Sequence, residues 1–208
     1  MIATLSDFPA LTNADQRQRS SDVDLPRAEA AVRELLLAIG EDPNREGLRD
    51  TPRRVARMYR EIFAGLRSDP AEHLARTFDE PYDEIVALRD IDFTSMCEHH
   101  LLPFVGRVHI AYLPSNRVVG LSKLARTVDT FARRPQVQER LTTQIADAIA
   151  VHLDARGVIV VVESEHFCMK IRGVKKSSST MVTQAARGVF IDDATARHEA
   201  LMLLRGKA

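Results

Sequence analysis

The spacing of apolar residues predicts helices first and a sheet afterwards. Residues 26–39 place Ala28, Val32, Leu35, Leu36 and Ile39 on one helical face, and Gly40 stops the pattern. Thr51-Pro52 starts a second helix, a capping hydroxyl followed by proline at the first helical position. That helix turns Val55, Met58, Tyr59, Ile62 and Phe63 inward and ends near Gly65. Each helix has a single apolar stripe, so each must pack against something. Ser68 to Tyr82 reads as a linker around a short helix. Period two then takes over. In FVGRVHIAYLP (residues 104–114), Phe104, Val108, Ile110 and Tyr112 alternate with Arg107 and His109. Pro114-Ser115-Asn116 makes a turn, and Val118-Val119 resumes the strand.

Two more helices follow. One is nucleated at Ser122, with Leu124, Val128 and Phe131 inside; the other starts at Pro135, with Leu141, Ile145, Ile149 and Leu153 inside. Gly157 opens the apolar run VIVVVESEHF, a buried strand, and residues 180–190 form another. A last helix covers 192–204. Two strands, two helices and two strands behind a helical N-terminal part make an α+β fold. Residues 1–24 are polar and aperiodic, the pattern of a flexible arm. They are followed by a helical region over 25–84 and a second domain over 85–208.

Composition narrows the function classes. The 29 basic and 29 acidic residues cancel, which argues against a protein that coats nucleic acid. A local basic patch for a small polyanion stays open. No stretch approaches the roughly 18 apolar residues that span a bilayer, and the first residues lack the pattern of a secretory signal. The cytoplasm is the expected compartment. There the only two cysteines, Cys97 and Cys168, are read as core filler, redox pair or metal ligands rather than a structural disulfide.

The densest chemistry lies at Cys97-Glu98-His99-His100. Cys97 and His100 are three apart, so a thiolate and an imidazole can meet one metal on a single turn, and Cys168 offers a third soft ligand. Two thiolates and one imidazole suit Zn²⁺ and leave its fourth position open, the arrangement of a catalytic site. A lone Cys-x-x-His pair is weak by itself, because buried thiols are common core filler. Two more histidines strengthen the metal reading. His99 adjoins the ligand pair, and His166 lies two residues before Cys168, on the same face of a strand. The other histidines, at 73, 109, 152 and 198, read as surface or structural.

With these residues in place, the chain resembles the zinc-dependent form of the GTP cyclohydrolase I family. The resemblance is carried by SMCEHHLLPFVGRVHIAYLP (95–114), VVGLSKLAR (118–126), RRPQVQERLTTQI (133–145), EHFCMKIRG (165–173) and EDPNREGLRDTPRRVARMYREIF (41–63). It implies the tunnelling fold for 85–208, an antiparallel sheet with two helices between its strand pairs. It also implies a toroidal homodecamer with active sites at subunit boundaries. The reaction implied is hydrolysis of GTP at C8, with release of formate and rearrangement to 7,8-dihydroneopterin triphosphate. Zinc would sit on Cys97, His100 and Cys168, with His99 and His166 moving protons. Glu139 matches the family's guanine anchor, since a carboxylate accepts both N–H donors of the guanine edge. Gln138 is a neighbouring candidate. Ser122 matches a ribose- or phosphate-contacting serine. Lys123 and Arg126 share a helical face near an N-terminus, a setting that favours phosphate, and Arg172 would join them. Lys175 and Lys176 are weaker candidates for the same role. Other classes stay open at this point: a homologue that binds zinc or a purine without turnover, or a thiol redox pair. A zinc nucleobase deaminase needs H-x-E with P-C-x-x-C, and this chain has no such cysteine pair.

Overall fold

A computed structural model describes residues 22–205 of the 208, so the expected arm lies, up to residue 21, outside the described residues. The described chain divides into two compact units, 22–68 and 69–205. In the first, helix α1 (Leu25–Ala38) starts where the Asp24 carboxylate accepts from the Arg27 N–H at 3.1 Å. Gly40, with φ of 88°, takes the left-handed turn beyond the helix end. Helix α2 (Thr51–Ile62) begins one residue earlier than a Thr51 cap would place it: Asp50 holds the cap position and its side chain makes no capping bond. The two helices pack as a pair, and the Tyr59 and Phe63 rings stack at 5.2 Å. The pairing covers only part of each stripe. Leu35, Ile39 and Met58, expected inside, are 60%, 66% and 43% exposed.

The second unit runs α3 (Pro70–Leu74), β1 (Thr77–Asp79), β2 (Val86–Cys97), β3 (Pro103–Leu113), β4 (Arg117–Val119), α4 (Leu121–Ala132), β5 (Pro135–Gln136) and α5 (Gln138–Leu153). It continues with β6 (Gly157–His166), a helical turn α6 (Phe167–Lys170), β7 (Met181–Gly188), α7 (Val189–Asp192) and α8 (Ala194–Arg205). The main sheet has the order β5-β2-β3-β6-β7 and is antiparallel except where β5 joins β2. Strand pair, helix pair, strand pair is the expected α+β plan of the tunnelling fold, with different members. The first hairpin is β2-β3, whereas the apolar pattern starts the sheet only at Phe104. Strand β2 hides its alternation because Arg89, Asp90 and Asp92 are exposed and the register shifts between Leu88 and Ile91. β4 does not resume the main sheet but pairs with β1 in a separate ribbon. His109, expected to face outward with Arg107, is 9% exposed; its Nδ1 accepts from the Asp90 N–H at 3.2 Å beside that bulge.

Helices α4 and α5 cover one sheet face. Leu124, Val128, Phe131, Leu141, Ile145, Ile149 and Leu153 are all buried there, as their spacing predicts. Each such side chain contributes roughly 1.5–3 kcal/mol on burial. Phe190, Ala200 and Leu204 from α7 and α8 cover the other face over Ala111 and Ile159. Covering on both faces explains why β6 reads as an unbroken apolar run. No helix among the described residues is long and apolar enough to cross a membrane.

Tyr112 tests this packing. Its ring is 1% exposed, its hydroxyl oxygen accepts from the Val119 N–H at 3.2 Å, and burial pushes the phenol above its ordinary value. A raised folded value leaves stability intact below the unfolded value of about 10 and erodes it as pH rises further. Urea unfolding between pH 8 and 11 should show that loss. Tyr112→Phe should flatten it and cost about 1 kcal/mol at neutral pH; an unchanged alkaline slope would place the titration elsewhere.

Candidate active site

The site forms where three chain segments are tied to the end of β2. The Cys97 N–H donates to Leu102 O at 2.9 Å, and the Leu101 N–H donates back to Cys97 O at 2.8 Å, so residues 98–101 fold over the strand end. Leu101 takes a φ of 50° to close that turn. β5 lies parallel to the same end, with Cys97 opposite Gln136 and the Glu98 N–H donating to Gln136 O at 3.0 Å. Gln136 is fully buried. Its Nε2 donates to Phe131 O and Gln144 Oε1, and its Oε1 accepts from Arg140 Nε at 2.9 Å. Arg140 in turn pairs with Glu98 and holds that carboxyl below its ordinary value. On the other side β3 pairs with β6, Phe104 opposite His166, which delivers the end of β6.

These ties bring Cys97, His100 and Cys168 together, with one donor atom from each lying within 4.8 Å of the others. Cys97 Sγ faces His100 Nδ1 at 4.0 Å. Cys97 is buried, Cys168 half-buried and His100 exposed, so the group lines an opening rather than the core. Burial, and then the neighbouring Cys97 thiol, push the Cys168 thiol up. Two thiolates so close would repel each other unless a cation lay between them, and two sulfurs with one imidazole form a donor set that can hold a metal ion. Cys168 is not on the strand face expected for it. β6 ends at His166, and Cys168 sits within α6.

His166 is half-buried. Its ring stacks on Phe104 at 4.7 Å with the planes 2° apart, and its Nε2 lies 2.9 Å from Gln138 Oε1. Burial lowers its pKa, and the Glu139 carboxylate partly opposes that. His99 is exposed, its ring 6.4 Å from that of His100. Helix α5 starts at Gln138 rather than at Pro135, so Gln138 and Glu139 are its first two residues. Gln138 is fully buried, while Glu139 is exposed and makes no hydrogen bond or ion pair to another described residue. Arg172 Nη1 lies 3.0 Å from His100 Nε2. Ser122, Lys123 and Arg126 lie on α4, and their side chains bond to no other described residue. Ser122 does not cap that helix: Gly120 occupies the cap position and Ser122 falls in the first turn. Lys175 and Lys176 are exposed on the loop before β7.

Sequence reasoning missed Gln136 and the Arg140–Glu98 pair, which brace the strand end. Amides are usually exposed, and nothing in RRPQVQER marks Gln136 as buried. Residues 28–205 match the sequence model of a family described as GTP cyclohydrolase I. The chain belongs to the GTP cyclohydrolase I family. Within it, a protein named GTP cyclohydrolase 1 from Rhodopirellula baltica is 60% identical over 194 residues, 93% of this chain and 85% of that one. Another of that name from Carboxydothermus hydrogenoformans is 60% identical over 88% of this chain and 95% of its own. One from Mycobacterium marinum is 58% identical over 95% of this chain and 100% of its own. The residues gathered at the end of β2 all lie within the part that matches the family.

Proposed function

We propose that this chain hydrolyses GTP at C8, releases formate, and rearranges the opened nucleotide to 7,8-dihydroneopterin triphosphate, with zinc on Cys97, His100 and Cys168. The observation that carries this reading is the convergence of two thiols and one imidazole in a chain of this family, with His166 two residues before one of the thiols and the Glu139 carboxylate acting on the charge of that histidine. Zinc there supplies Lewis acidity that makes water a nucleophile near neutral pH. The chain does the rest. Glu139 accepts the two N–H donors of the guanine edge, which adenine lacks, and so selects GTP over ATP. Lys123, Arg126 and Arg172 take the triphosphate, and Ser122 the ribose or a phosphate. His166 and His99 move protons at the imidazole ring and in the ribose rearrangement.

We read the assembly as a homo-oligomer, a decamer with sites at subunit boundaries. Ser122, Lys123 and Arg126, whose side chains bond to no other described residue, and the exposed stripe of α1 support that reading. The two cysteines fit a reducing cytoplasm. The direct test is incubation of zinc-analysed protein with GTP, followed by formate and by fluorescence of the oxidised pterin. Both products together are expected. Formate without pterin would mean that rearrangement fails, and no formate from zinc-loaded protein would overturn the reading. Replacing Glu139 by glutamine should raise KM for GTP about tenfold to a hundredfold, the worth of one charged hydrogen bond, with a smaller change in kcat. Unchanged affinity by calorimetry would remove its anchoring role.

A further inference from the structure

We infer that Gln138 acts through His166 rather than on the nucleotide: its side-chain carbonyl fixes the imidazole so that Nε2 carries a proton and Nδ1 is the nitrogen left for the reactant. The inference rests on the reading of His166 as a proton carrier. Gln138 is fully buried, and its amide has only one admissible orientation. Nε2 lies 3.0 Å from Val162 O, 3.1 Å from Met181 O and 3.1 Å from Thr183 Oγ1. Two of these are backbone carbonyls, which only accept, so the amino end must face them. The third fits as well. The Thr142 hydroxyl donates to Gln138 O at 2.7 Å, so the 2.6 Å contact between Thr142 and Thr183 takes its proton from Thr183. That leaves Thr183 Oγ1 free to accept from the amide.

The oxygen end therefore faces Ser164 Oγ at 2.6 Å and His166 Nε2 at 2.9 Å. An amide oxygen carries no proton, so both neighbours donate to it. His166 Nε2 is a donor whether the ring is neutral or charged, and Nδ1 has no partner among the described residues. Phe104 fixes the plane of the ring at 4.7 Å, and Gln138 fixes which edge points inward. Two independent constraints on one imidazole are what a proton carrier held in a single tautomer requires. Every polar atom of Gln138's side chain is already occupied, which leaves it none for a guanine.

A double-mutant cycle with GTP as substrate tests this. Gln138→Leu should lower kcat about tenfold to a hundredfold with KM within about threefold, at full zinc content. Placed on His166→Ala it should lower kcat no further, because its effect passes through that ring. A rise in KM with kcat retained, or an additive loss on His166→Ala, would overturn the inference in favour of direct contact or a general packing effect. Should Gln138→Leu not fold, ¹⁵N NMR of histidine-labelled unmodified protein decides, with the His166 signal assigned by its disappearance in His166→Ala. A proton on Nε2 supports the inference, and one on Nδ1 alone ends it. If His166→Ala itself keeps full turnover, the proton-carrier reading fails, and the NMR tautomer still decides whether Gln138 sets the ring.

Discussion

Replacing His166 by alanine is expected to lower kcat for GTP by about 10²–10⁴-fold, the contribution of one positioned acid–base group, while zinc stays bound at full stoichiometry. The expectation follows from where the ring sits. It stacks on Phe104, donates to Gln138, and is not one of the three residues whose donor atoms converge. Burial lowers its pKa below the ordinary value of about 6.5, so near pH 7 the ring is neutral and Nδ1 is a base. The carboxylate of Glu139 opposes that shift. One ring can thus accept a proton in one step and return it in the next. Metal analysis beside single-turnover kinetics reads the result. Loss of zinc would make His166 a ligand, and unchanged turnover would leave the proton work to His99.

Much of this site is legible in the sequence because metal ligation tolerates few residue types. Two cysteines and a Cys-x-x-His turn leave a short list of donors, and the structure brings the three predicted residues within 4.8 Å of one another. The helices of the second unit are legible too, since Leu141, Ile145, Ile149 and Leu153 recur at the helical period and all face the sheet. Strand β2 is not, because the bulge after Leu88 and the exposed charges from Arg89 to Asp92 break the alternation that marks a strand. The burial of Gln138 is hidden for a different reason. From RRPQVQER it reads as a polar residue at an exposed helix start. The parallel pairing of Pro135 with Met96 instead holds the start of α5 against the sheet, where carbonyls of β6 and β7 claim its amide. A long-range contact decides that burial, and no local window contains it. The spare apolar surface of α1 is the converse case: the stripe is plain in sequence, yet among the described residues Leu35 and Ile39 stay exposed.

The second large effect is expected at Cys168. A serine hydroxyl stays protonated where a thiol beside a cation ionises, and it is a poor ligand for a metal that prefers sulfur and nitrogen. Cys168→Ser should therefore lose zinc and reduce GTP turnover to background. The fold should survive. Cys168 lies in a four-residue turn at the edge of a core built from β2, β3, β6, α4 and α5, so the chain has its apolar burial without the ion. This separates it from small domains that fold only around their metal. Chelation of the unmodified protein makes the same distinction without a substitution. Activity should vanish and return with added zinc, while Tm falls by no more than about 5 °C. Cooperative unfolding on chelation would make the ion structural, and a serine variant that holds zinc at full stoichiometry would remove Cys168 from the site. Three protein ligands would leave a tetrahedral metal one position for water, and three donors placed by a strand end, a tight turn and a helical turn can release an ion without releasing the fold.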